Sequence, residues 1–166
     1  EAPSLPYTSQ TLFAVEALRR QAGVLMHIHN LYHWEQQARL AQALVLKTTG
    51  MGEPKAFFCN SGTEGAEAGI KLARLWGKGH GGKWKFIALR EGFHGRTYGA
   101  LSATGQESLQ KGFEPLVPGF SYVPLNDAQA LAQAFDAETV EFMAEQVQGE
   151  CGIGPCTRAY LEQARA

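Results

Sequence analysis

The sequence predicts an α/β fold in which a mostly parallel sheet is flanked by helices. Segments of strand type alternate with segments of helical period along most of the chain, which is typical of parallel sheets covered by helices. A strand is expected to run into a helix at residues 57–64 (FFCNSGTE), and a glycine-flanked loop at 92–97 (GFHGRT) follows a second expected strand. The 166 residues, 45% hydrophobic and 19% charged, are ordinary for one globular domain.

Charge and hydropathy narrow the classes of partner. With 15 basic and 16 acidic side chains the formal net charge is -1, so no broad electrostatic surface for nucleic acid or anionic membrane is expected. No apolar run approaches the roughly 20 residues of a membrane span, and the first residues do not resemble a signal peptide. Cys59, Cys151 and Cys156 are too few for a disulfide framework and are expected to be free thiols. We therefore expect a cytoplasmic protein with small-molecule partners.

The first 50 residues read as a helical segment that leads into the main domain. Leu12, Val15 and Leu18 recur near helical period, and a second helical pattern runs through Ala38 and Leu44. A glycine-rich break at 49–52 (TGMG) ends this segment. The expected division is 1–50 for the helical segment and 51–166 for the sheet-containing domain.

Within the main domain, four strands and three helices are expected. The strands are placed at 56–59, 85–89, 121–124 and 140–145, and the helices at 63–76, 127–135 and 157–165. Thr157 is expected to cap the last helix. The first two strands and the helix between them would form a βαβ unit.

The turn from the first expected strand into its helix has the features of a phosphate site. Ser61 can cap the helix, Gly62 lets a ligand approach the backbone, and Thr63 adds a hydroxyl donor. The exposed N–H groups of the first turn and the helix dipole both favour an anion. A tetrapeptide such as SGTE is nevertheless a good helix start in any protein, so a second feature is needed.

The second feature is the loop at 92–97, which carries an aromatic ring and a guanidinium close together. Phe93 can cover an aromatic cofactor, and Arg96 can bind a carboxylate through two hydrogen bonds. Glu145 ends the last expected strand and Glu150 follows it, which places two carboxylates near the carboxyl edge of the sheet, where α/β sites lie. Either acid could equally be a surface residue. The three histidines at 27, 29 and 33 have no recognised ligand spacing, and no metal site is predicted.

Several of these strings, in this order, resemble the class III pyridoxal-phosphate-dependent aminotransferases, and within them the acetylornithine aminotransferases. They are residues 57–74, 93–105 (FHGRTYGALSATG), 113–120 (FEPLVPGF), 126–127 (ND) and 148–150 (QGE), with 30–32 (NLY) upstream. The resemblance runs from about Val15 to Arg165. It implies part of the large domain of a fold-type I transferase with pyridoxal 5′-phosphate as cofactor.

The resemblance also implies a role for each matching residue. Those near the cofactor would be Gly62 and Thr63 on its phosphate beside the Ser61 cap, Phe93 on the pyridine ring, and His94 and Glu145 close by. Arg96 would bind the α-carboxylate of the amino-acid substrate, and Glu150 would match a glutamate that lets the pocket accept two different substrates. The implied reaction transfers the δ-amino group of N-acetylornithine to 2-oxoglutarate, as in arginine biosynthesis. The intact protein would be a homodimer.

A catalytic lysine is not assigned within the chain. In the family the lysine that binds the cofactor covalently, and the acid that pairs with its pyridine nitrogen, match positions beyond Ala166. The chain is therefore expected to be a fragment of the cofactor-binding domain and inactive alone. The alternatives are a non-catalytic α/β remnant, or a segment of an ornithine, succinylornithine or 4-aminobutyrate aminotransferase.

Overall fold

A computed structural model describes residues 5–29, 31–48 and 52–165, with only the backbone described for 5–11. The chain divides into two compact units, Glu1–Phe57 and Phe58–Ala166. The boundary expected after residue 50 falls among residues 49–51, which lie outside the described residues, as does Asn30 of the 30–32 string.

The first unit contains two helices, α1 (Leu5–Ala22) and α2 (Glu35–Lys47), and both were predicted from their periodicity. A hydrogen bond of 3.5 Å from the Gln36 amide to the Gln21 amide oxygen joins the second helix to the first. The apolar residues that mark α1 in the sequence do not form a buried face within the unit, because Leu12 is 68% and Leu18 69% exposed.

The second unit is built around a three-stranded parallel sheet, which confirms the predicted fold class. Its strands and helices, in chain order, are α3 (Gly62–Lys78), β1 (Lys85–Leu89), α4 (Tyr98–Ala103), α5 (Glu107–Gln110), β2 (Phe120–Val123), α6 (Ala128–Ala134), β3 (Thr139–Met143), β4 (Val147–Gln148), β5 (Gly154–Pro155) and α7 (Arg158–Arg165). β4 and β5 form a separate antiparallel pair. Neither α4 and α5 nor β4 and β5 were predicted from the sequence.

β1 is the central strand, paired in parallel with β2 on one side and β3 on the other. Its side chains alternate between two cores. Phe86 packs with Ile70 of α3 and Ala103 of α4, whereas Ile87 and Leu89 pack with residues of β2, α6 and α7, namely Val123, Leu131 and Tyr160. The strand is thus buried on both faces, as expected for a parallel sheet between two helical layers.

The order β2-β1-β3 creates a point where the chain reverses direction across the sheet. The path from β1 to β2 uses α4 and α5, and the path from β2 to β3 crosses back over β1 through α6. Right-handed crossovers in opposite directions place their helices on opposite faces of a sheet, which accounts for the two cores. Ligands in open α/β sheets bind beyond the carboxyl ends of the strands at such a reversal.

The prediction of a strand at 56–59 is wrong, and so is the prediction of a first βαβ unit that contains it. The segment carries no strand assignment, and Phe57 is 70% exposed. An extended segment becomes a strand only when a neighbour accepts and donates its backbone hydrogen bonds, and in the described part of the chain no strand pairs with it. The parallel units of the structure instead link β1, β2 and β3.

The predicted helix starts are confirmed by their capping bonds. The Ser61 hydroxyl accepts from the Glu64 N–H at 3.3 Å, and the Thr157 hydroxyl accepts from the Tyr160 N–H at 3.3 Å. Cys59, Cys151 and Cys156 are free, as expected. Across the described ranges, no helix is both long enough and apolar enough to span a bilayer.

Two glycines of α3 provide a paired test of its packing. A Cβ on Gly77 would overlap the Lys83 carbonyl and lie 2.9 Å from the Val140 side chain, whereas a Cβ on Gly69 would meet nothing within 4 Å. We expect Gly77→Ala to lower the free energy of unfolding by about 2 kcal/mol through overpacking. Gly69→Ala should raise it by up to about 1 kcal/mol through helix propensity. Urea titration of both variants measures this, and equal effects would contradict the packing.

Candidate functional site

A pocket of about 600 Å³ lies where the first turn of α3 meets the loop that follows β1 and the end of β3. It is therefore at the carboxyl edge of the sheet. Its lining consists of residues from these three places: Ser61, Gly62, Thr63, Ala66, Phe93, His94, Gly95, Arg96 and Met143.

The α3 side of the pocket presents a helix N-terminus. Ser61 caps the helix through the Glu64 N–H, and its carbonyl accepts from the Gly65 N–H at 3.1 Å. The N–H groups of Gly62 and Thr63 precede the first intrahelical bonds, and among the described residues they donate to no protein atom. A Cβ at Gly62 would meet nothing within 4 Å, so the backbone there is open to a ligand.

The opposite side of the pocket is formed by the loop at 92–97, whose backbone is held in place by two hydrogen bonds. The Phe93 N–H donates to a Glu145 carboxylate oxygen at 2.8 Å, and the His94 N–H donates to the Thr104 hydroxyl at 2.9 Å. Thr104 is fully buried. The loop is thus tied to the segment after β3 and to the end of α4, which leaves the Phe93 and Arg96 side chains at the pocket.

The loop and the helix start approach each other most closely at Gly95 and Thr63. Gly95 has φ 126°, in the region that favours glycine, and a Cβ there would overlap the Thr63 side chain. Next to this contact the Thr63 and Thr97 hydroxyl oxygens lie 3.0 Å apart. Only glycine at position 95 permits this approach.

The pocket residue His94 has a pKa below the ordinary value for histidine. Burial lowers the pKa of the imidazole, and the nearby charge of Glu145 offsets part of the effect. Its Nε2 atom is buried, and within the described residues it has no hydrogen-bond partner. A neutral ring with one unpaired nitrogen next to the pocket can accept or donate a hydrogen bond to a ligand.

The structure brings six of the eight residues proposed from the sequence into the pocket lining. Of the other two, Glu145 lies behind the loop on the Phe93 N–H, and Glu150 is exposed after β4 and does not line the pocket. Sequence reasoning missed Glu67, Thr97 and Thr104, which hold the loop. Glu67 lies four residues after Thr63 on α3, so the helical period was the available signal.

These features are compatible with a flat, phosphorylated, aromatic cofactor and a carboxylate substrate. Open backbone N–H groups at a helix start suit a phosphate, and the Phe93 ring suits an aromatic face. Arg96 is exposed and forms no ion pair within the described part of the chain, so its guanidinium is available to an anion.

The His94 environment predicts a pH dependence of stability. Because the folded-state pKa lies below the ordinary value of 6.5, the unfolded chain binds more protons than the folded chain as pH falls through 6.5. Folding stability should therefore decrease on the acid side of that value. We expect His94→Gln to reduce the loss of unfolding free energy between about pH 7.5 and about pH 5.5. Urea titrations of the unmodified chain, His94→Gln and His27→Gln would measure this loss, with His27→Gln as the control because His27 is exposed. The same loss in all three proteins would refute the assignment of the pH dependence to His94.

Comparison with known proteins places this chain in a family. The class-III aminotransferase family matches residues 13–166. The chain is 49% identical over 149 residues to an acetylornithine aminotransferase of Aquifex aeolicus, covering 89% of this chain and 39% of that protein. It is 48% identical over 153 residues to an acetylornithine aminotransferase of Caldanaerobacter subterraneus, covering 91% of this chain and 38% of that protein. The chain thus spans less than half the length of these relatives.

A solved structure agrees with the sequence relatives. The ornithine aminotransferase of Toxoplasma gondii, described with partial occupancy of PLP at its active site, superimposes with a TM-score of 0.81 at 26% identity. The superposition covers 91% of this chain and 36% of that one. The pocket, the sheet order and these matches lead to one conclusion: the chain belongs to the class-III aminotransferases, which depend on pyridoxal phosphate.

Proposed function

We propose that this chain forms the part of an aminotransferase that binds the cofactor phosphate and the substrate carboxylate. The observation that supports this most directly is the pocket that joins open helix N–H groups, an aromatic ring and a guanidinium that has no ion-pair partner among the described residues. In the proposed whole protein, the δ-amino group of N-acetylornithine passes to 2-oxoglutarate, which yields N-acetylglutamate semialdehyde and glutamate. The names of the two sequence relatives described above support this substrate.

Five pocket residues have a defined task in this proposal. Gly62 and Thr63, beside the Ser61 cap, bind the phosphate, and Phe93 covers the pyridine ring. When bound, pyridoxal phosphate supplies the electron sink for amino-group transfer. Arg96 binds the α-carboxylate of the substrate and thereby orients it.

Three acidic or neutral groups complete the proposed site. Glu145 holds the Phe93 backbone in place, and His94 stays neutral beside the cofactor because burial lowers its pKa. Glu150 would contribute to substrate selection in the whole protein. We further propose that the whole protein is a cytoplasmic homodimer.

The cofactor part of the proposal can be tested on the chain itself with pyridoxine 5′-phosphate, which has no aldehyde and cannot label surface lysines. We expect it to bind at least about tenfold more tightly than pyridoxine, because the phosphate gains charge-assisted hydrogen bonds. Isothermal calorimetry would measure both affinities. Equal affinities, or no binding, would favour the alternative of a non-catalytic remnant.

Gly95→Ala tests the same pocket by geometry. The new Cβ would displace the loop from Thr63, so the affinity for pyridoxine 5′-phosphate should fall by about tenfold or more. Gly112→Ala is the matched control, since Gly112 has φ 90° but open space around its Cβ. It carries the backbone strain without the overlap and should bind normally. Equal losses in both variants would show that strain alone is responsible.

The substrate part requires a full-length aminotransferase that contains this segment. We expect Arg96→Met to raise KM for N-acetylornithine by about tenfold or more and to leave KM for N-acetylputrescine, which lacks the α-carboxylate, unchanged. Arg158→Met serves as control, since Arg158 is an exposed residue of α7 that pairs with Glu162 at 2.7 Å. An equal rise for both substrates would contradict the role of Arg96. A preference for unacetylated ornithine or 4-aminobutyrate would replace the proposed donor.

A further inference from the structure

Glu67 lies behind the pocket, on the second turn of α3, and its carboxylate binds groups far away in sequence. One oxygen, Oε1, accepts from the Thr97 hydroxyl at 2.6 Å, from the Gly99 N–H at 2.9 Å and from the Ala100 N–H at 3.1 Å. Glu67 therefore connects α3 to the end of the 92–97 loop and to the start of α4.

The start of α4 explains why these bonds matter. Thr97 occupies the position before α4 that normally caps a helix, but its side chain makes no capping bond. Gly99 and Ala100 carry the N–H groups that such a cap would satisfy, and Glu67 satisfies them instead. A side chain on Gly99 would collide with this carboxylate. The Thr97 hydroxyl is thereby released for another partner.

That partner is Thr63 on the pocket side. Burial would raise the pKa of Glu67, but the hydrogen bonds from Thr97, Ala100 and Gly99 and the charge of Lys71 outweigh it and lower the pKa, so the carboxylate is ionised. An ionised carboxylate only accepts hydrogen bonds, so the Thr97 hydroxyl must donate to it. The Thr97 oxygen is then free to accept from the Thr63 hydroxyl, 3.0 Å away.

We propose that Glu67 is a positioning residue that, through Thr97, fixes Thr63 and the 92–97 loop in the arrangement that binds the cofactor phosphate. The proposed effect of Glu67 on phosphate binding depends on the proposed function. The coupling of α3 to the loop and to α4 does not depend on any ligand.

The coupling is tested first on the chain without ligand, by amide hydrogen exchange in Glu67→Ala, Glu67→Gln and Thr97→Val. We expect Glu67→Ala to speed exchange at Gly99 and Ala100 by about tenfold, since both amides lose their acceptor. Glu67→Gln should keep them protected, because the amide oxygen can still accept. Glu107→Ala, an exposed acid at the start of α5, is the control. Unchanged exchange in Glu67→Ala would overturn the inference.

The link to the phosphate is tested by the affinity for pyridoxine 5′-phosphate in a double-mutant cycle. We expect Glu67→Ala and Thr97→Val each to weaken binding by about tenfold, and the double variant to be no weaker than the single ones, because both remove one chain of bonds. Glu67→Gln and Thr97→Ser should restore binding to within about threefold.

A purely structural role for Glu67 would give a different pattern. The effects of Glu67→Ala and Thr97→Val on the affinity would then add. The losses of affinity would parallel the decreases in urea midpoint, and Glu67→Gln would not restore binding. That result would overturn the inference. If the unmodified chain does not bind pyridoxine 5′-phosphate, the proposed function fails instead. In that case the same cycle, calculated from exchange rates at Gly95 and Gly99, decides the inference: non-additive effects support it and additive effects overturn it.

Discussion

The close approach between the first turn of α3 and the loop after β1 is the constraint on which the pocket depends. These two segments are about thirty residues apart in sequence, and they meet where Gly95 lies against Thr63. Neither segment alone makes a site, since a helix start binds anions weakly and a loop aromatic has many possible partners. Because a Cβ at position 95 would overlap Thr63, glycine permits the helix start and the loop to line one cavity.

The position of the loop is set by the strand that precedes it. β1 is buried on both faces and paired on both edges, so its carboxyl end has little freedom. Glu145 then holds the loop backbone from the segment after β3, and Thr104 holds it from the end of α4. The Phe93 and Arg96 side chains are thus presented by a loop whose backbone is fixed at several points, which reduces the entropy lost when a ligand binds.

Features encoded locally were predictable from the sequence, whereas those that depend on distant partners were not. The Ser61 cap and helix α3 follow from a four-residue signal and a helical period, and β1 follows from its apolar run. The expected strand at 56–59 has the same apolar character as β1, but a strand also needs a neighbour, and no local pattern reports one. Helix α4 was missed because Gly99 and Ser102 lower the helical signal of its short sequence.

Glu67 shows the same limit at the level of one side chain. A threonine directly before a helix is normally its cap, and Thr97 stands directly before α4. In the fold, a carboxylate from α3 takes that task, and Thr97 binds Glu67 and Thr63 instead. The exchange of partners is possible only because α3 and α4 pack on the same face of the sheet. The arrangement of the pocket therefore follows from tertiary packing, and its chemistry from residues that the sequence already displays.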